Sequence, residues 1–266
     1  MTYLLAALLG TVQGLTEFLP VSSTAHLLVG EQSLGYDDPG GVFTVTIQLG
    51  SILAVMWLYK AKIAAVITGL SSDRDARRFA LMVLVACVPA LLAGALFADY
   101  VKTVLYESPR VMAWAFVAGG LVMLVVERFR PAPVVLDAER TPVIKALGVG
   151  ICQMLALVPG VSRSGATIVG GMVMGLDRAA AAELSFFVAM PTLTAAFAHE
   201  VYEVREHLAP DRALEIAIGL VMAFLASAVV VRPFLRFVGR AGFAPFAWYR
   251  IAAGLAILGA VSAGWL

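Results

Sequence analysis

Charge-free runs recur along the chain at 41–59, 79–98, 111–126, 184–198, 216–231 and 251–266. A helix needs about 20 mostly apolar residues to cross the hydrocarbon of a bilayer, and flanking residues complete the shorter runs. Trp57, Tyr59, Tyr100, Trp248, Tyr249 and Trp265 stand near the ends of these runs, where amphipathic rings favour the headgroup level. The pattern predicts six transmembrane helices in an all-α polytopic membrane protein.

Two further apolar stretches are broken. Residues 1–16 continue through Glu17, Leu19-Pro20 and Ser22-Ser23-Thr24. Residues 146–176 are interrupted by Pro159-Gly160 and Ser162-Arg163-Ser164-Gly165. Irregular backbone at membrane depth survives only when buried in protein or lining a wet cavity. Each stretch is therefore expected to be a re-entrant helical hairpin that dips in and returns to the side it came from. The first is expected to be retained rather than cleaved, since no Lys or Arg precedes it and Gln13 and Glu17 lie where a cleavage region would be.

The two broken stretches resemble each other at an offset of 140: Gly10 with Gly150, Gln13 with Gln153, Leu15 with Leu155, Val21 with Val161, Ser22 with Ser162. Each is followed by three predicted spans. An odd number of spans inverts the second half relative to the first. This predicts a single integral membrane domain over 1–266, built from inverted-topology repeats at about 1–130 and 143–266, with the proline-rich stretch between them as linker.

Composition agrees. Hydrophobic residues make up 61% and charged residues 14%, against roughly 25% charged in a soluble domain. The net charge of +1 excludes a nucleic-acid binder that works by neutralising phosphates. Cys87 and Cys152, both in apolar stretches, exclude a disulfide framework. With loops 60–78, 127–145, 177–178 and 232–250 inside, fourteen Lys and Arg are cytoplasmic and four (Lys102, Arg110, Arg205, Arg212) are outside. That bias places both ends of the chain outside.

Within the broken stretches, charge is nearly absent. Residues 1–30 hold only Glu17, and residues 146–176 hold only Arg163. An intramembrane charge costs at least ~2.5–3.5 kcal/mol on insertion scales and marks function by default; the plainer reading is an ion pair that locks the hairpins together. Gln13 and Glu17, four residues apart, share a helix face and offer oxygens suited to a hard cation. Pro20 ends that helix, and Ser22, Ser23 and Thr24 follow with hydroxyls. His26 is an acid, base or nucleophile candidate. Arg163 presents a planar fork for phosphate oxygens. Ser162, Ser164 and Thr167 add hydroxyls, and Gly165 opens a helix whose free N–H groups face the loop. His199 and His207 fall in an acidic outer loop with Glu200, Glu203 and Glu206, which reads as a solvated face.

Together, Gln13-Gly-Leu-Thr-Glu17-Phe-Leu-Pro20-Val-Ser-Ser23-Thr-Ala-His26 and Pro159-Gly-Val-Ser162-Arg163-Ser164-Gly-Ala-Thr167 resemble the two motifs of the BacA/UppP family of undecaprenyl-diphosphate phosphatases. Ala25 stands where that family is expected to have Gly, and Gln13 is the less acidic of two accepted residues. The resemblance implies hydrolysis of a C55 polyprenyl diphosphate in the bacterial inner membrane, which recycles the lipid carrier for cell-wall synthesis and is associated with bacitracin resistance. It implies a divalent cation, Mg²⁺ or Ca²⁺, with Gln13 and Glu17 handling metal or protons. Ser23 and His26 become nucleophile or base candidates, and Ser162, Arg163, Ser164 and Thr167 become diphosphate binders; Ser22, Thr24 and Gly165 complete the expected substrate pocket, which faces the periplasm. The expected partners are the lipid substrate and the bilayer, with a homodimer left open. A different class, a secondary transporter or flippase for an anionic polyprenyl phosphate, shares the architecture of inverted repeats and broken helices.

Overall fold

The computed structural model describes residues 2–101, 108–204 and 212–264. Met1, Lys102, Arg205, Glu206, His207, Trp265 and Leu266 lie outside the described residues. The regular elements are α1 (Thr2–Thr16), α2 (Ser23–Leu34), α3 (Val42–Leu58), α4 (Lys60–Gly69), α5 (Arg74–Tyr100), α6 (Pro109–Phe129), α7 (Val143–Gln153), α8 (Arg163–Val173), α9 (Arg178–Val204), α10 (Ala213–Ala241) and α11 (Ala244–Ser262). Among them α5, α6, α9, α10 and α11 are long and apolar enough to cross a membrane, and α3 with α4 qualify together across a 72° bend. The protein is thus all-helical with five or six candidate spans.

Each broken stretch is a helix, a break and a second helix. α1 ends before the Leu19-Pro20 break, and α2 begins after Ser22, whose φ of 66° lies in the left-handed region. α7 passes into a short 3-10 turn, then Pro159-Gly160, and α8 begins after Ser162, at φ 74°. Ser22 and Ser162 are the non-glycine positive-φ positions among the described residues, and they are related by the offset of 140. Such backbone costs an L-residue about 1–2 kcal/mol, so the surrounding packing must hold both turns in place.

Packing crosses between the halves. α1 lies along α10, α7 lies along α5, α6 pairs with α11, and α3 contacts both α9 and α10. Small residues permit these approaches: a β-carbon on Gly10 would collide with the backbone of Gly219, and one on Gly150 with the backbone of Ala86. Between the helices a continuous apolar core includes Phe18, Met82, Ile168, Phe186, Phe234 and Phe243. The Phe18 and Phe186 rings meet edge to face at 5.3 Å.

Polar contacts gather at two poles. At one, Lys62 pairs with Glu139, Arg178 with Glu127, Arg78 donates to the Arg140 carbonyl (3.1 Å) and Lys145 to the Met174 carbonyl (2.6 Å). At the other, Tyr36 and Arg212 both donate to Glu215, and Arg212 reaches the Asp37 carbonyl at 3.0 Å. Burial and the neighbouring Glu215 hold the Tyr36 phenol well above its usual range. α1 starts and α2 ends beside the Tyr36 pole, around a recess lined by Thr2, Leu5, Leu34 and Tyr36. α7 starts and α8 ends at the basic pole, joined by the Lys145–Met174 bond.

One charge departs from the loop assignment. Arg250, counted above as cytoplasmic, lies inside α11 with no exposed surface.

Candidate active site

The tips of the two broken stretches meet in the interior. Glu17, carried one residue past the end of α1, is 7% exposed. Its Oε2 accepts from Gln13 Nε2 (2.9 Å) and from Ser23 Oγ (2.7 Å), and its Oε1 accepts from Arg163 Nη2 at 3.0 Å. The Gln13 bond follows from helical spacing, one turn apart on α1. The Ser23 bond exists because the Pro20 break folds the start of α2 back over the end of α1. The Glu17–Arg163 ion pair joins residues 146 apart in sequence.

Arg163 stands in the first turn of α8, over the Phe18 ring at 5.6 Å. Its Nη1 donates to the Ser185 carbonyl (3.2 Å) and to Ser185 Oγ (3.3 Å), and Thr167 Oγ1 lies 2.7 Å from the same hydroxyl. Ser162 caps α8, accepting from Gly165 N at 3.1 Å, and its Oγ lies 3.0 Å from Ser164 Oγ. Ser164 in turn donates to the Leu19 carbonyl at 2.7 Å, a second tie between the loops. A carboxylate, a guanidinium, five hydroxyls and the amino end of a helix therefore converge in a largely dry space, where each polar interaction is stronger than in water.

His26 stands apart from this cluster. Its Nδ1 is 2.8 Å from the Ser22 carbonyl, its Nε2 meets the Tyr249 hydroxyl, and its ring stacks on Tyr249 at 5.7 Å. Ser22 is buried, and Thr24 is half-buried beside it. Away from the site, His199 forms an exposed pair with Glu203 at 3.3 Å.

Three residues of this neighbourhood carried no signal in the sequence. Ser185 sits in an apolar run, where a serine reads as a small packing residue. Tyr249 reads as an interfacial ring, and Arg250 as a loop cation.

Among the described residues no group of three or more His, Cys, Asp or Glu side chains gathers to hold a metal. Gln13 Oε1, however, is buried without a hydrogen-bond partner beside the Glu17 carboxylate. That oxygen and the carboxylate fit a hard cation that shares its shell with phosphate oxygens and water. They do not fit an ion held by protein ligands alone.

A family model described as "Bacitracin resistance protein BacA" matches residues 6–256. The chain is 51% identical over 250 residues to "Undecaprenyl-diphosphatase 2" of Paramagnetospirillum magneticum, covering 94% of this chain and 95% of that protein. It is 48% identical over 249 residues to "Undecaprenyl-diphosphatase 1" of Agrobacterium fabrum, with 94% and 93% covered. With "Undecaprenyl-diphosphatase" of Paracoccus denitrificans the identity is 46% over 262 residues, with 98% of each chain covered. The chain belongs to the BacA family.

Proposed function

We propose that this protein hydrolyses undecaprenyl diphosphate to the monophosphate and inorganic phosphate, returning the lipid carrier to cell-wall synthesis and thereby supporting bacitracin resistance. The observation that carries the reading is a serine hydroxyl held by a carboxylate, beside an arginine from the opposing loop, in a chain of this family. A lipid diphosphate leaves its tail in hydrocarbon and needs polar groups around its head, and the meeting loops carry such groups.

Phosphoryl transfer asks for positioning and charge neutralisation. Arg163, Ser162, Ser164 and Thr167 bind the phosphates, with Gly165 letting the head group approach the amino end of α8 and Ser22 and Thr24 beside it. Ser23 Oγ attacks the terminal phosphorus as its proton passes to Glu17 Oε2, along the 2.7 Å hydrogen bond already in place. The bond from phosphorus to the bridging oxygen breaks, and Glu17 gives its proton to the departing lipid monophosphate. Water then attacks the phosphoserine; Glu17 takes its proton and returns it to Ser23 Oγ as phosphate leaves. Gln13 and Glu17 would hold a divalent cation, Mg²⁺ or Ca²⁺, which when bound supplies further neutralisation of phosphate charge.

Purified protein in detergent, given a polyprenyl diphosphate and Mg²⁺ or Ca²⁺, should release phosphate. A lipid carrier that only moves its ligand would release none, and that result would overturn the enzyme reading. Quenched turnover should contain acid-stable phosphoserine that Ser23→Ala abolishes. Acid-labile phosphohistidine would move the nucleophile to His26, and no phosphoprotein at all would favour direct attack by water.

The same reading gives the molecule six spans and two re-entrant hairpins as an inverted repeat. The support is threefold: the matched residues at an offset of 140, the paired positive-φ serines, and the exchange of packing in which α1 lies on α10 while α7 lies on α5. In the bacterial inner membrane the basic pole would face the cytoplasm. The Tyr36 pole, both chain ends and the opening to the site would then face the periplasm.

A further inference from the structure

Arg250 is the largest fully buried side chain among the described residues, and every hydrogen bond recorded for it ends on a backbone carbonyl. Its Nη1 donates to Pro20 O (3.2 Å) in the first loop and to Val161 O (2.9 Å) in the second. Its Nη2 donates to Gly160 O (2.9 Å) in the second loop and to Ala115 O (3.1 Å) on α6. The guanidinium carbon lies 5.2 Å from the centre of the Phe116 ring. No carboxylate is among these partners. A buried cation without a counter-ion is costly, so a fold that keeps one does so for what the cation holds.

What it holds are the two loops that carry the chemistry. Pro20 is three residues from both Glu17 and Ser23. Gly160 and Val161 lead directly into Ser162 and Arg163. The strained turns at Ser22 and Ser162 lie just beyond the clamped carbonyls. Nη1 stands 3.4 Å from where a β-carbon on Gly165 would sit, so the guanidinium rests against the amino end of α8. We propose that Arg250 is a positioning residue for the phosphatase reaction: its planar fork spans both loops and sets the distance from Ser23 and Glu17 to Arg163. Its charge adds to Arg163 after Glu17 has neutralised one cation, leaving the meeting point of the loops net positive for a diphosphate. Lysine keeps the charge but has one nitrogen, which cannot serve carbonyls now met by two separate ones.

This inference rests on the phosphatase reading, and its test keeps the two apart. Phosphate release from a polyprenyl diphosphate is measured for the full-length native protein, Arg250→Lys and Gly119→Ala, with kcat per folded enzyme, KM and melting temperature recorded for each. Gly119 lies on α6, outside the site, and the three nearest atoms to a β-carbon there all belong to the Arg250 guanidinium. Alanine also favours a helix over glycine, so this variant disturbs the fork without removing it. A misplacement of about 1 Å can cost about 100-fold in rate. The expected result is a 10- to 100-fold loss of kcat in both variants, with KM within about threefold of the native protein. Native kcat in either folded variant would overturn the positioning role. A lowered melting temperature with unchanged kcat would show a purely structural residue and overturn it equally. Should Arg250→Lys fail to fold, Gly119→Ala decides alone. No release by the native protein would sink the phosphatase reading itself, which is a separate outcome.

Discussion

At the scale of single residues, the Glu17–Arg163 pair serves two ends that mutation can separate. The side chains are 6% and 13% exposed. Deleting one member of such a pair leaves an uncompensated buried charge and costs about 3–5 kcal/mol, whereas replacing both by neutral groups costs far less. Glu17→Gln and Arg163→Met should each lower the unfolding midpoint of the detergent-purified protein markedly. The double variant should recover at least half of that loss, because the two sites are in contact and their effects are not additive. All three should release no phosphate. If the double variant were as unstable as the sum of the singles, the pair would not be the tie between the loops. The pair also shows the limit of pattern reading. Two lone charges in apolar stretches were legible, and so was their expected meeting. Ser185, which takes two donations from Arg163, was not, because it reaches the site only when α9 packs on α8.

Among elements, the informative departures concern where helices stop. Runs without charge mark the part of a helix that the bilayer sees, not the helix itself. α9 starts at Arg178 rather than near residue 184, because Asp177 caps it by accepting from Ala180 N at 2.6 Å, and Arg178 itself is paired with Glu127. α10 continues to Ala241, carrying Arg232, Arg236 and Arg240 beyond the apolar run. Lys60 and Lys62 interrupt the hydropathy and predict a loop from residue 60, yet α4 is a helix there with no buried residue. The broken stretches were legible in outline from Pro20 and Pro159-Gly160, but their strained turns were not, because serine at positive φ has no sequence signature. Those turns differ in one testable respect. Ser162 caps α8 through Gly165 N, while Ser22 makes no cap bond to α2. Ser22→Gly relieves about 1–2 kcal/mol of backbone strain and gives back about 0.4–1 kcal/mol through a freer unfolded chain. It should leave the protein as stable or up to about 1.6 kcal/mol more stable. Ser162→Gly gains the same relief but forfeits a cap, a loss that glycine limits to a few tenths of a kcal/mol, so it should gain slightly less stability than Ser22→Gly. Thermal unfolding of the two variants side by side checks this, and a larger loss for Ser22→Gly than for Ser162→Gly would contradict it.

For the whole molecule, orientation is the consequence with the widest reach, because it decides which compartment delivers the diphosphate head. The loops at 60–78, 127–145 and 177–178, which hold most of the basic residues, are brought together at one pole by Lys62–Glu139, Arg78–Arg140 and Arg178–Glu127 contacts. Burying Arg250 removes one charge from the inner count and leaves the bias intact. The Tyr36 pole lies at the starts of α1 and α10, and in the proposed topology the first hairpin would enter from there. A helix of 15 residues rises about 22 Å, so α1 carries Glu17 well into a hydrocarbon layer of about 30 Å. Ser33 and Ser72 are exposed at the Tyr36 pole and at the loop before α5, respectively. Ser33→Cys should therefore react with an impermeant thiol reagent added to intact cells, while Ser72→Cys should react only after the membrane is opened. The native protein is a suitable blank, with Cys87 buried and Cys152 only partly exposed. Labelling of Ser72→Cys alone in intact cells would invert the molecule and put the mouth of the first hairpin in the cytoplasm. The phosphatase would then draw on diphosphate made inside the cell rather than on carrier released at the outer face.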